Sequence, residues 1–165
     1  MKQQQILKKS DVDQKIIRMA CQISEENYNE SMLIFLGIAP SGYTLAEKLC
    51  DEVKNILKCS TSLHKITLDK KNPLRSTVSL DPSFNPEKHT VILVDDVANT
   101  GKTIFYALQP LMNYNIKKLQ VAVLVDRQHK LFPVSPDFVG LSLSTTLREH
   151  IIVNLEAEKE AVYLT

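Results

Sequence analysis

VILVDDVANTGKT, residues 91–103, is the stretch on which the reading of this chain turns. Thr90 and the four apolar residues after it run without interruption, which suits a strand buried on both faces of a parallel sheet. The run ends in two adjacent carboxylates, Asp95 and Asp96. Ligands of open parallel sheets gather beyond the carboxyl ends of the strands, so the pair stands where a ligand would. Residues 97–103 then lead into a helix, whose first N–H groups lack intrahelical partners and favour an anion such as phosphate. Gly101 lets the backbone come close, and Thr100 and Thr103 add hydroxyl donors. Carboxylates only accept, and a sugar diol offers two donors. The string therefore reads as a ribose 5-phosphate cradle. Asp95 and Asp96 take the hydroxyls, and Ala98, Asn99, Thr100, Gly101, Lys102 and Thr103 take the phosphate. A nucleotide P-loop is excluded, because Gly101-Lys102-Thr103 would need a glycine at position 96, which is aspartate.

Outward from this stretch the pattern repeats. Apolar residues Val12, Ile16, Met19, Ala20 and Ile23 recur at helical spacing in residues 11–28, with Ser10 or Asp11 as the cap. MLIFLGI, residues 32–38, is another buried strand. Pro40-Ser41-Gly42 interrupts it, and a helix follows with Leu45, Leu49, Val53 and Ile56 on one face. LHKITL, residues 63–68, reads as a strand. The polar, proline-bearing segment 69–88 reads as a long excursion with a hairpin strand at residues 76–80. Pro110 should bend or shorten the helix of residues 103–112. LQVAVLV (119–125) is a third buried strand, and PVSPDFVGLSL and HIIVNL give short later strands. Strands alternating with helices predict an α/β fold with a central parallel sheet covered on both faces, as one domain over residues 1–165.

Composition narrows the function classes. With 20 Lys plus Arg against 19 Asp plus Glu, the net charge of +1 gives no global field for nucleic acid. Cys21, Cys50 and Cys59 have no metal-ligand spacing and read as reduced thiols of a cytosolic protein. No apolar run approaches the roughly 20 residues of a membrane span, and MKQQQILKKS lacks the apolar core of a signal peptide.

The central string resembles the diphosphate-ribose signature of the type I phosphoribosyltransferases. GIAPSGYTLAEKL, LQVAVLVDRQHKLFPVSPDFVG and the closing strand near residues 161–164 extend the likeness to the subfamily of pyrimidine operon attenuators and uracil phosphoribosyltransferases. The resemblance implies the type I fold, a parallel sheet flanked by helices with a small hood region. It implies transfer of ribose 5-phosphate from phosphoribosyl diphosphate to a nucleobase, uracil first, with a nucleoside monophosphate as product. Mg²⁺ would be held through phosphoribosyl diphosphate with Asp95 and Asp96. Pro40, Ser41 and Gly42 would form the diphosphate loop. That loop commonly holds a cis peptide bond, which here falls at Ala39–Pro40. Arg127, His129, Phe138 and Val139 would border the base, whereas Tyr106 and Phe132 are expected to pack. The chain departs from the subfamily where Thr-Arg-Gly is replaced by Pro-Ser-Gly. Lys70, Lys71 and Arg75 are the expected replacements for the missing cation. The resemblance also implies a homodimer. Its alternatives are an RNA-binding attenuation regulator that senses nucleotides, and a relative acting on another base or on none. Few cations in SPDFVGLSLS, and only Lys15 and Arg18 midway along the first helix, weigh against an RNA face.

Overall fold

The computed structural model describes residues 3–70, 72–73, 77–144 and 149–165. Lys71 and Arg75 lie outside the described residues. The elements are β1 (Gln4–Leu7), α1 (Lys9–Glu26), β2 (Met32–Ile38), α2 (Ser41–Ile56), β3 (Ser60–Thr67), β4 (Ser79–Leu80), β5 (Thr90–Ala98), α3 (Lys102–Ala107), β6 (Lys118–Asp126), β7 (Phe138–Ser142), β8 (Ile151–Asn154) and β9 (Ala161–Leu164). A 3₁₀ turn, Gln109–Asn113, follows α3 at Pro110, so the helix is shortened as expected.

The near-continuous apolar runs all became strands of one sheet, in the order β4-β3-β2-β5-β6-β7. β3, β2, β5, β6 and β7 are parallel, and only β4 runs against its neighbour. Side chains alternate across the sheet. Leu33, Phe35, Ile92 and Val94 face the core under α1 and α2, whereas Ile34, Leu36, Ile38, Val91 and Leu93 face the core that includes Ile104 and Leu111. Both faces are thus covered, which explains why the strands carry no polar alternation.

Helix details differ from the sequence reading. α1 starts at Lys9, and Asp11 works from inside its first turn, where its carboxylate accepts the N–H of Lys8 at 3.1 Å. Ile56 ends α2 and is 46% exposed, because it lies past the last turn that meets the sheet. β1 was not expected. It pairs antiparallel with β9, which pairs with β8, and this three-stranded sheet is the hood.

The strand order places the site. β2 lies between β3, which follows it through α2, and β5, which comes later in the chain. The connections therefore diverge between β2 and β5, and a crevice opens at their carboxyl ends. Residues 39–42 leave the end of β2 there, and Asp95 and Asp96 stand near the end of β5.

Candidate active site

Backbone packing brings the two loops together. A Cβ on Gly37 would lie 2.4 Å from the Tyr43 Cα, and one on Gly42 would lie 2.7 Å from the Val94 carbonyl oxygen and 3.0 Å from Asp95 Oδ1. No side chain fits at Gly42, so the first turn of α2 rests directly on the strand that carries the acid pair. The Ala39–Pro40 bond is cis, as expected. The N–H of Ala39 is spent on the Ile66 carbonyl at 2.9 Å, and Pro40 has none. Donors of this loop must come from residues 41–43.

Asp95 is 1% exposed and Asp96 lies nearer the surface. Lys70 joins them: its ammonium donates to Asp95 Oδ1 at 2.8 Å and to Asp96 Oδ1 at 3.2 Å. The Asp96 N–H also donates to Asp95 Oδ1, at 3.0 Å. Burial, then the charge of Asp96, push the Asp95 carboxyl up to about 8, with Lys70 pulling the other way. Burial opposes the charge on Lys70, but Asp95 and Asp96 outweigh it and hold that ammonium above its usual range.

Beyond the pair, Gly101 takes φ +82°, a left-handed conformation that the turn into α3 requires and that favours glycine. The helical ladder begins with the Phe105 N–H on the Gly101 carbonyl, so the N–H groups of Thr103 and Ile104 precede it. Thr100 is bound into its own turn: its hydroxyl oxygen accepts the Lys102 N–H at 3.3 Å, and its carbonyl accepts the N–H groups of Leu131 and Phe132. Lys70 and residues 97–104 line a cavity of about 190 Å³. The strand, the loop and the cis-proline turn thus converge.

The phosphoribosyl transferase domain model matches residues 2–158. The chain belongs to the phosphoribosyltransferase family. Among its relatives are proteins named bifunctional protein PyrR. The one from Ligilactobacillus salivarius is 35% identical over 152 residues, covering 86% of this chain and 85% of the relative. The one from Pelotomaculum thermopropionicum is 32% identical over 160 residues, covering 92% and 88%. Solved structures share the fold. The hypoxanthine phosphoribosyltransferase of Trypanosoma cruzi superposes with a TM-score of 0.81 at 16% identity, covering 98% of this chain and 95% of that one. A hypoxanthine-guanine phosphoribosyltransferase of Bacillus anthracis gives 0.75 at 15%, covering 99% and 100%.

In this phosphoribosyltransferase Arg127 and His129 are brought beside the loop. Arg127 Nη1 donates to Asn99 Oδ1 at 3.1 Å, and both residues line a second cavity of about 390 Å³ with Asn99, Thr100 and His150. Lys130 borders the same space and ion-pairs with Asp126. The expectation for Phe138 and Val139 is corrected. Phe138 is 1% exposed in the core under α1 and pairs with Ala122, while Val139 pairs with Val123. The ligand end of this pair of strands is at Asp126 and Ser142, four residues or about 13 Å beyond Phe138 and three or about 10 Å beyond Val139. The Val139 carbonyl, moreover, accepts Arg18 Nη2 at 2.8 Å. Phe132 and Tyr106 pack with Phe105, as expected, with ring centroids 5.3–6.0 Å apart.

Two features escaped the sequence reading. His150 precedes β8 and lines the Arg127 cavity. Residues 152–156 face Pro40, Ser41 and Thr44 across a cavity of about 450 Å³. The alternating HIIVNL pattern signalled a strand there but not which loop it would meet. Among the described residues no cluster of three or more metal-ligating side chains exists. The acid pair alone fits a metal that keeps most of its waters and arrives with a phosphate ligand, as Mg²⁺ does. No helix of the described residues is long and apolar enough to cross a membrane.

Proposed function

We propose that this phosphoribosyltransferase moves ribose 5-phosphate from phosphoribosyl diphosphate to a pyrimidine base, uracil first. The observation that carries the reading is the convergence at the switch point. The buried acid pair, the Gly101 turn and the cis-proline turn meet at the ends of β2 and β5. The relatives named PyrR support a pyrimidine base, while the hypoxanthine enzymes share only the fold at 15–16% identity.

In this reading Asp95 and Asp96 accept hydrogen bonds from the ribose diol, directly or through the hydrated ion. Residues 98–103 receive the 5-phosphate, chiefly on N–H groups at the start of α3. Ser41, Gly42 and Tyr43 donate to the diphosphate, since Pro40 cannot. Mg²⁺, when bound, neutralises the departing diphosphate. As that group leaves, the anomeric carbon gains positive charge, and the acid pair beside it stabilises that charge. Little covalent work falls to the protein, so rate comes from positioning and preset charge. Arg127, His129 and His150 border the base end of the site. The enzyme works in the cytoplasm as a homodimer.

The test is a panel of bases incubated with phosphoribosyl diphosphate and Mg²⁺, with diphosphate release measured. Release with uracil above all other bases is the expected result. Release with a purine alone overturns the pyrimidine assignment, and none with any base overturns the activity.

A second reading has a specific support, since these relatives are named bifunctional. It is RNA binding by a nucleotide-sensing regulator. Against it, the exposed Arg18 has its guanidinium engaged by the protein itself, donating to the Val139 and Gly140 carbonyls at 2.8 Å each and to Gln22 at 2.9 Å. A salt-dependent RNA mobility shift separates the two readings.

A further inference from the structure

Lys70 follows β3 by three residues, and Leu68 between them is buried. The backbone leading to it is thus anchored, while its ammonium bridges both carboxylates of the acid pair, at 2.8 and 3.2 Å. A buried acid beside a second one is poorly placed to carry charge, and the Lys70 ammonium is the cation that partly offsets this. The same side chain borders the cavity of the Gly101 turn. Two stations for one ammonium therefore lie side by side, the acid pair and the anion cavity.

We propose that Lys70 is a resident stand-in for the metal: it occupies the acid pair in the free protein, yields it to the divalent cation, and turns its ammonium to the incoming phosphates. This rests on the proposed activity and adds an exchange that the missing loop arginine makes useful. One lysine first pairs with the acid pair and then supplies the positive charge that Ser41 does not. Lysine suits such a move better than arginine, because its ammonium is a compact point charge on a flexible stem, free of fork geometry. Metal and ammonium compete for the same carboxylate oxygens, so a free metal binds weakly until Lys70 has an anion to turn to.

Binding of Mn²⁺ alone, followed by the electron-spin resonance of the free ion, tests this without any turnover. Lys70→Met and Lys70→Gln should each bind Mn²⁺ about tenfold or more tightly than the wild type. Lys118→Met is the control. It removes one charge at the opposite end of the sheet, where Lys118 donates to the Glu26 carbonyl, and should bind Mn²⁺ as the wild type does. Adding Asp95→Asn to Lys70→Met should erase the gain. Equal affinity in the wild type and both Lys70 variants overturns the exchange while leaving the proposed activity standing. A gain that survives Asp95→Asn overturns the acid pair as the metal position, and with it that part of the proposed activity.

Discussion

Asp95 and Asp96 differ in setting although they are neighbours. One is sealed under the first turn of α2, and the other lies nearer the surface, yet a single ammonium reaches both. Asp95→Asn and Asp96→Asn should each lower turnover by about 10²-fold or more with circular dichroism unchanged, because each removes a charge that counts most in the transition state. Wild-type rates in both would refute the assignment. Gly101→Val should abolish binding of phosphoribosyl diphosphate and nucleoside monophosphate together, as calorimetry would show. Space is not the obstacle there, since an added Cβ meets its nearest atom at an ordinary 3.4 Å; the φ of +82° is, above all for a β-branched residue. These residues were legible in the sequence because their chemistry is local: a buried run, two carboxylates, a turn glycine and a helix start. Phe138 misled because PDFVG shows an aromatic near a strand but not how far along the strand the ligand end lies. Lys70 was named as a diphosphate cation, but its bond to the acid pair spans 25 residues and could not be read from spacing.

Between elements, the meeting of α2 with β5 controls the site. Gly42→Ala would drive a methyl group into the Val94 carbonyl and the Asp95 backbone, at 2.7 and 2.8 Å. It should cost roughly 1–3 kcal/mol in urea unfolding and lower kcat along with it. Normal stability would show that the contact relaxes freely. The hood is fastened by charge. Glu160 of the buried β9 approach accepts Lys48 at 3.0 Å from α2 and Lys9 at 3.2 Å from α1. Burial raises the Glu160 carboxyl, but its own backbone N–H, Lys48 and Lys9 outweigh this and lower it to about 2, against an ordinary 4.5. The folded protein therefore binds this proton less readily than the unfolded chain. The stability it contributes is complete above about pH 4.5 and drains away as pH falls toward 2. Glu160→Gln should flatten the acid limb of a stability-against-pH curve over that window, and an unchanged limb would remove Glu160 from the account. The hood was the least legible part of the sequence. β1, β8 and β9 have four residues each, too few for a period, and β1 meets a partner at the far end of the chain.

Across the whole molecule, we propose that the two sheets make one cooperative domain, since the Glu160 cluster and the core under α1 and α2 join the hood to the helices. Calorimetry should give one unfolding transition, and two resolved transitions would divide the chain. Sedimentation at micromolar concentration should give a species near twice 18.7 kDa, and a monomer alone would count against the proposed dimer. The two margins of the large sheet are finished differently. One ends in β4, only two residues long. The other is β7, where Arg18 Nη2 donates to two consecutive carbonyls. Exposed strand margins recruit further strands from other molecules, and short or charge-covered ones resist it. If that cover matters, Arg18→Ala should scatter light on warming well before the wild type does, and equal scattering would deny it.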